Sequence, residues 1–312
     1  MTTDKKIPRR LYKYRAFSNL TLESLVADEL WYADPSTFND PLDTRPSLNT
    51  DLDVQQLENV LRRLVENRVR AEMSTAAKTI KYQGPKTLDH IERHSHRRAE
   101  QLIADVAYNA TNPEYDVGDP HAFLLGQYIE EELLRQYEKG IISLAVRATC
   151  PLMWSHYGEQ HNGICIGYSV PADAASEIHL VKYGGSRLVD ASDVAKMLDG
   201  DEIARKRVDS AVLLRKATDW RYEREWRIIG PRGLQDSPLE LEEVIFGMRC
   251  KSPVMYAVAK ALENRDRLVK FFEMREVRGT FKLKKMPLDL NELSASMPRR
   301  ARSIYEAFEK LD

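Results

Sequence analysis

The spacing of apolar and polar residues predicts β-strands in two separate parts of the chain. Near the N-terminus, "LYKYRAF" and "LWYAD" alternate with the period of a strand, and "SNLTLESLVADEL" between them has helical spacing. Strand patterns return after residue 140 in "GIISLAVR", "GICIGYSV", "LEEVIFG", "VKFFEMRE" and "TFKLKKM". The Pro- and Asp-rich segment "PSTFNDPLDTRP" is predicted to be a loop.

Residues 51–139 carry a helical pattern and are predicted to be an insertion between the β-rich parts. Apolar residues recur there at the spacing of one helix face, as in Leu57, Val60, Leu61, Leu64 and Val65. Breaks at "YQGPKT" and "TNPEYDVGDP" divide the insertion into about three helices. We therefore predict a single α+β domain over residues 1–312, with a β-rich core from residues 10–45 and 140–285.

The order of strands and helices indicates the class of sheet. Strands and helices do not alternate regularly, and no strand leads into a glycine-rich GxGxxG or GxxxxGKS/T loop. This order disfavours a doubly wound nucleotide-binding fold. It favours a mostly antiparallel, split β-sheet core.

One predicted strand, "GICIGYSV", has faces of very different bulk. Large side chains share one face, and small ones share the other: Ile164, Ile166, Tyr168 and Val170 against Cys165, Gly167 and Ser169. The small face is where another backbone or a ligand could approach closely.

The segment "WRYEREWRIIG", residues 220–230, places two glutamates near two tryptophans. Read as a strand, it puts Glu223, Glu225 and Arg227 on one face. Carboxylates two residues apart on a strand are ~6.5–7 Å apart, so one can raise the pKa of the other. Such a pair could act as base and charged stabiliser. The alternative, which is commoner for an isolated E-x-E, is an exposed ladder of ion pairs.

The segment "MWSHYGEQHNG" concentrates polar aromatic chemistry. It holds Trp154, Ser155, His156, Tyr157 and His161, a set that suits stacking on a planar ring and hydrogen bonding to a sugar. The alternative is a turn whose aromatic residues fill the core while the histidines stay on the surface. His156 and His161 are five apart, unlike the i, i+4 pair of a helical zinc site, so we predict no metal site.

Two N-terminal motifs offer ligand-binding groups. Arg15, at the end of the first strand, could bind a phosphate in bidentate fashion, or it could form a surface ion pair. Asn39, Asp40 and Asp43 could shape a site or bind a cation, or "FNDP" could form an Asx turn fixed by Pro41. The stretch "HIERHSHRRAE" is predicted to be a solvated helix face, with RNA or DNA contact as the alternative.

Composition narrows the class of protein further. Charged residues make up 30% of the chain, yet the net charge is −1, so no global basic field attracts nucleic acid or anionic membrane. The three cysteines, at positions 150, 165 and 250, are far apart and odd in number, which suits a reducing cytoplasm. The N-terminus has no apolar signal-peptide core, and no run approaches a membrane span. We therefore expect a cytoplasmic protein without membrane contact.

With these motifs together, the chain resembles a bacterial family known only as a domain of unknown function. The resemblance rests on "LYKYR", "FNDP", "MWSHY" and "EREWR", and it covers roughly residues 10–45 and 140–280 but not the helical insertion. It implies no activity.

A more distant resemblance is to arginine-class ADP-ribosyltransferases, which place an Arg on an early strand, a Ser on a middle strand and a late E-x-E. The same order here is Arg15, Ser155 and Glu223-x-Glu225, although Ser155 stands in W-S-H-Y rather than S-T-S, and Lys13 or Tyr14 could be the early element. The resemblance implies an ADP-ribosyltransferase-like split-sheet fold with NAD as substrate.

The same resemblance implies residue roles. Arg15 would hold the NAD phosphates, with Tyr14, Asn39 and Asp40 as further cofactor-binding residues. Ser155 would support the nicotinamide ribose, with His156 beside it in the catalytic set, and Trp154 or Tyr157 would stack on nicotinamide. Glu225 would bond the ribose 2′-OH and stabilise the oxocarbenium-like transition state, while Glu223 orients the acceptor.

The expected function is therefore transfer of ADP-ribose from NAD to a protein or nucleic-acid target, as in a toxin or phage-defence effector with a possible antitoxin or partner protein. The first alternative is a metal-dependent nuclease or phosphodiesterase that uses Asp40, Asp43, His156, His161 and Glu223. The second is a non-catalytic nucleotide-binding module.

Overall fold

A computed structural model describes residues 6–81, 84, 86–137 and 139–299 of the chain. The α-helices are α1 (Asn19–Ala27), α2 (Val54–Thr79), α3 (Thr87–Asn109), α4 (Pro120–Gln136), α5 (Pro151–His156), α6 (Ala191–Leu198), α7 (Glu202–Leu213), α8 (Ser252–Ala261) and α9 (Leu290–Ser296). Short 3-10 helices cover Pro35–Thr37, Ala174–Glu177 and Thr218–Glu223.

The strands are mostly short. They are β1 (Arg10–Arg15), β2 (Glu29–Tyr32), β3 (Ser47–Asn49), β4 (Lys139–Leu144), β5 (Ile164–Ser169), β6 (Ile178–Leu180), β7 (Lys182–Tyr183), β8 (Leu188–Asp190), β9 (Arg215–Lys216), β10 (Trp226–Pro231), β11 (Gly233–Asp236), β12 (Glu240–Phe246), β13 (Lys270–Glu276) and β14 (Leu283–Pro287).

The chain divides into two compact units. Residues 1–33, 141–180 and 219–312 form the unit that we call the sheet unit, and residues 34–140 and 181–218 form the helical unit. Each unit is assembled from segments that are distant in sequence. The expectation of one domain over residues 1–312 stays a prediction.

The sheet unit is built on a five-stranded open sheet of order β1-β5-β12-β13-β14. Its neighbouring strands are antiparallel except for the β12–β13 pair, which is parallel. A three-stranded sheet of order β4-β10-β6 adds the antiparallel β10–β6 pair. The chain is therefore an α+β protein with an open, antiparallel-rich sheet, and this part of the predicted fold is confirmed.

The two sheets share one hydrophobic core. Leu11, Ile166 and Phe246 from the five-stranded sheet lie in the same buried cluster as Trp226 and Ile228 from β10. Because these residues occupy alternate strand positions, the intervening side chains point away from that core.

The small-residue face of β5 is covered by a buried carboxylate. A register shift between Leu241 and Glu243 in β12 accompanies the placement of Glu243 beside Gly167, where an added Cβ would lie 2.6 Å from Glu243 Cγ. Arg10 Nη1 and Lys285 Nζ donate to the two oxygens of Glu243 at 2.8 and 2.7 Å. Gly167 is thus approached by a charged side chain of the same sheet, which sequence alternation alone does not predict.

The helical unit confirms the predicted three-helix pattern. The five apolar residues named above for this region are all buried on α2, which begins with a capping box between Asp53 and Gln56. On the neighbouring α4, Glu132 is buried and receives two hydrogen bonds from Arg68, from Nε at 2.7 Å and from Nη2 at 3.1 Å. None of the helices in the described ranges combines the length and apolar character needed to cross a bilayer.

The Glu243 contact generates a stability prediction. Gly167→Ala should lower the free energy of unfolding by about 1–3 kcal/mol, because a Cβ would press on a carboxylate that two cations hold in place. Gly118→Ala is the control, since nothing lies within 4 Å of its added Cβ. Urea unfolding should separate the two variants, and equal midpoints would contradict the packing described.

Candidate functional site

The "EREWR" segment is not a continuous strand, and that part of the prediction is wrong. Residues Thr218–Glu223 form a 3-10 helix, Arg224 has a φ of 48°, and β10 begins only at Trp226. The left-handed backbone at Arg224 turns the chain between the two glutamates. Glu223 and Glu225 therefore do not share a strand face, although both are buried, which also rules out the exposed ladder.

Glu223 is held by a tyrosine from the other predicted motif. The Tyr157 hydroxyl donates to Glu223 Oε1 at 2.8 Å, and Glu223 is 3% exposed. Tyr157 directly follows α5, whereas Glu223 ends the 3-10 helix, so two segments 66 residues apart meet at one hydrogen bond. The structure thus joins the "MWSHY" and "EREWR" motifs.

An aromatic cluster surrounds the exposed imidazole of His156. Its ring centroid lies 6.4 Å from Tyr222, with the planes inclined by 30°, and 6.3 Å from Trp220. The Trp220 and Tyr222 rings are 6.0 Å apart. We call His156, Trp220 and Tyr222 the His156 cluster. Its three aromatic rings offer a surface on which a planar ligand could stack.

Glu225 is part of a buried ion pair. Arg227 Nε and Nη2 donate to its two oxygens at 2.8 and 3.3 Å, and the exposed fractions of Glu225 and Arg227 are 2% and 0%. The two-point contact with the guanidinium compensates the buried carboxylate and fixes its orientation. Trp226 between them points into the hydrophobic core.

The stacking role predicted for Trp154 is wrong, whereas the role predicted for Ser155 stays a prediction. Trp154 is fully buried, its Nε1 donates to the Ala148 carbonyl oxygen at 2.7 Å, and it has no open face for nicotinamide. Ser155 is exposed, but its hydroxyl donates to the Pro151 carbonyl oxygen at 3.0 Å in its own helix. Trp154 and His156 therefore fit the alternative interpretation of this segment, in which an aromatic residue fills the core and a histidine stays on the surface.

The turn after α5 has an unusual backbone. Glu159, Gln160 and His161 all have positive φ, at 51°, 53° and 71°. The His161 ring stacks on Trp154 at 6.0 Å, and burial and the nearby Arg249 lower the pKa of the imidazole. Its Nδ1 is buried without a hydrogen-bond partner among the described residues. The His161 side chain thus packs the turn against the buried Trp154.

Tyr14 and Arg15 point to opposite sides of β1. Tyr14 is buried, donates to the Arg147 carbonyl oxygen at 2.8 Å and contacts Trp154 edge to face, so its predicted cofactor role is replaced by a packing role. Arg15 is half-buried, which lowers the pKa of its guanidinium, and among the described residues it pairs with no carboxylate. The surface ion pair considered for Arg15 is therefore not seen in the described part.

The "FNDP" loop belongs to the helical unit. Asp40 Oδ1 accepts from the Leu42 amide at 2.9 Å, which is the Asx turn considered for this motif. Asn39 lies beside it and is exposed, whereas Asp40 itself is half-buried. Asp43 is buried and pairs with the equally buried Lys216 at 3.3 Å, so this loop carries a fixed carboxylate.

Within the described ranges, no group of three or more His, Cys, Asp or Glu side chains is arranged to hold a metal ion. The sequence interpretation also missed residues that the structure places at the site. Trp220 and Tyr222 were not predicted as site residues, because their contact with His156 joins segments that are distant in sequence. Arg227 was placed near Glu225, but its pairing with that glutamate was not predicted.

Residues 153–228 match a family of proteins of unknown function (DUF2971). This range contains His156, Tyr157, both glutamates and the whole His156 cluster. No curated protein and no solved structure gives a significant match.

The buried ion pair predicts a strong asymmetry between single and double variants. Arg227→Met should cost about 3–5 kcal/mol of unfolding free energy because it removes the guanidinium that donates to both oxygens of the buried Glu225 carboxylate. Adding Glu225→Leu should recover part of that loss in urea unfolding. Lys260→Met, in an exposed pair with Glu263, is the control and should cost below about 1 kcal/mol. Simple additivity of the two buried substitutions would refute the pairing.

The Tyr157–Glu223 bond predicts a smaller effect. Tyr157→Phe removes a hydrogen bond to a buried acidic side chain and should destabilise the protein by about 1.5–3 kcal/mol. Tyr108→Phe, at a tyrosine that is 78% exposed, should change stability by less than about 0.5 kcal/mol. Thermal or urea unfolding checks both, and indistinguishable variants would count against the contact.

Proposed function

We propose that this chain is an NAD-dependent ADP-ribosyltransferase-like enzyme that modifies a protein or a nucleic acid. The observation that carries the proposal is the pair of buried glutamates, each oriented by a neighbouring side chain, close in sequence to the His156 cluster. A carboxylate with a fixed orientation is what stabilises the positive charge that develops when a ribose glycosidic bond breaks.

Glu225 is the proposed stabiliser of that charge. Its contact with Arg227 fixes the orientation of the carboxylate, and a preorganised anion needs little rearrangement as the oxocarbenium-like sugar forms. Since Glu225 is 2% exposed, the proposal requires the segments that cover it to open before NAD can reach the carboxylate. Glu223, oriented by Tyr157, is the proposed partner for the acceptor group.

The His156 cluster replaces Trp154 as the proposed platform for nicotinamide. Its rings are exposed or half-buried, whereas Trp154 is enclosed in the core. Arg15 remains the proposed phosphate ligand, because among the described residues its charge is not used in an ion pair with a carboxylate. A guanidinium can offer two parallel N–H donors to a phosphate.

The proposed reaction breaks the bond between nicotinamide nitrogen and ribose C1′ and forms a bond from C1′ to an acceptor oxygen or nitrogen. The bonding electrons leave with nicotinamide, which departs as a neutral molecule. The acceptor loses one proton, which passes to a carboxylate or to water. The proposed biological role is that of a toxin or phage-defence effector with a possible antitoxin or partner protein.

Incubation with labelled NAD and candidate protein and nucleic-acid acceptors tests the proposal. Glu225→Gln should reduce label transfer and nicotinamide release by about 10²–10³-fold, because the amide cannot offset the developing charge. His156→Ala, at an exposed residue, should raise the KM for NAD with little effect on folding. Glu240→Gln, with an exposed side chain, is the matched control.

The outcomes separate the competing functions. If the Glu225→Gln variant has normal thermal stability and still transfers the label fully, Glu225 does not have the proposed role. Binding of NAD without release of nicotinamide would indicate a non-catalytic nucleotide-binding module. Nucleic-acid cleavage that requires a divalent ion would indicate the nuclease alternative, for which the described geometry offers no specific observation.

A further inference from the structure

The C-terminal end of α2 and the N-terminal end of α3, which we call the tip of the α2–α3 hairpin, extend beyond the neighbouring helix α4. All buried residues of α2 lie between Leu57 and Val69. The third helix, α4, runs alongside α2, with His121 Nε2 3.6 Å from Glu58 and Arg68 Nε 2.7 Å from Glu132. By this register α4, which ends at Gln136, reaches only to about residue 72 of α2. The last two turns of α2 therefore lie beyond the end of α4 and beside α3.

An open groove of about 580 Å³ lies on this tip. Its position follows from the antiparallel register of the hairpin, which is fixed by the Arg62–Glu100 and Glu66–His96 contacts. We call it the hairpin groove, and it is lined by Met73, Ala76, Ala77, Ile80, Lys86, Thr87, His90, Ile91 and Arg93. The floor is apolar, and Ile80 is 73% exposed. Small alanines in a helical trough allow close approach of another helix.

The rim of the hairpin groove is basic. The described lining residues include two permanent cations, Lys86 and Arg93, and one histidine, but no carboxylate. Within the described ranges neither cation pairs with an acidic side chain, since Arg93 donates only to the Asp89 carbonyl oxygen of its own helix at 3.2 Å. Their charges are thus available to a ligand.

We propose that the hairpin groove is a docking site for an acidic amphipathic helix of a partner protein. The apolar floor would take residues at i, i+3 or i+4, and i+7 of that helix, and acidic residues flanking them would meet Lys86 and Arg93. The hydrophobic floor distinguishes this partner from a nucleic acid, whose phosphates need cations but no apolar trough. The inference does not depend on the proposed enzymatic activity.

Two designed helical peptides with the same apolar face test the partner chemistry on the full-length protein. One carries glutamates on its flanks and the other carries lysines, and fluorescence anisotropy measures their affinity. The acidic peptide should bind at least about tenfold more tightly than the basic one, because opposite charges attract and like charges repel across the interface. No saturable binding of the acidic peptide up to about 100 μM would overturn the proposal.

Variants locate the binding. The double variant Lys86→Glu/Arg93→Glu should weaken the acidic peptide at least about tenfold, whereas Arg98→Glu/Lys206→Glu, with the same charge change at exposed sites elsewhere in the helical unit, should not. Ile80→Ser should also weaken binding, while Leu88→Ser, at a residue 79% exposed but outside the groove, should leave it unchanged. Equal effects within either pair would overturn the assignment.

Anionic vesicles containing phosphatidylserine and a single-stranded RNA serve as competing probes. Binding of either that is weakened by Lys86→Glu/Arg93→Glu, but not by Ile80→Ser, would show a general anion surface instead of a helix groove. That result would also overturn the proposal.

Discussion

The interaction on which the sheet unit depends is the contact of one buried carboxylate with two cations. Glu243 lies beside Gly167 and receives hydrogen bonds from Arg10 on the first strand and Lys285 on the last. A buried charge is tolerated only when it is compensated, so the outer strands must be in place for the central one to keep its register. Burial and the same carboxylate raise the pKa of Tyr12 to about 12, which keeps that phenol neutral.

The candidate site combines two buried glutamates with the exposed aromatic rings of the His156 cluster. Trp154 and Tyr14, two of the aromatic residues predicted to contact a ligand, are buried in the core. The rings of the His156 cluster are exposed or half-buried. The two glutamates have different partners, a phenol for Glu223 and a guanidinium for Glu225. That difference is what the proposed enzymatic roles rest on, one carboxylate for the sugar cation and one for the acceptor.

The periodicity of apolar residues predicted the regular helices and strands, because their side-chain positions repeat with the backbone geometry. The helical pattern of residues 51–139 and the alternation in β5 both follow from side chains that take their places every 3.6 or two residues. The strand predicted over "EREWR" is wrong because the 3-10 helix and the left-handed backbone at Arg224 interrupt the alternation. The segment contains no glycine or proline that would indicate this break. Long-range pairings such as Tyr157 with Glu223 have no local pattern at all, since they depend on how distant segments pack.

The turn of Glu159, Gln160 and His161 has a consequence for comparing relatives. The last carbonyl of the turn lies so close to the residue after β12 that a Cβ on Gly247 would collide with the His161 carbonyl oxygen. Gly163, which follows the turn, is equally close to β1, since a Cβ there would collide with the Arg15 carbonyl oxygen. An insertion or deletion in the turn would move the His161 carbonyl relative to Gly247, and would move Gly163 relative to the Arg15 carbonyl. Homologous proteins should therefore keep the spacing between Gly158 and Gly163 constant, or alter it only together with position 247, so that these sites covary.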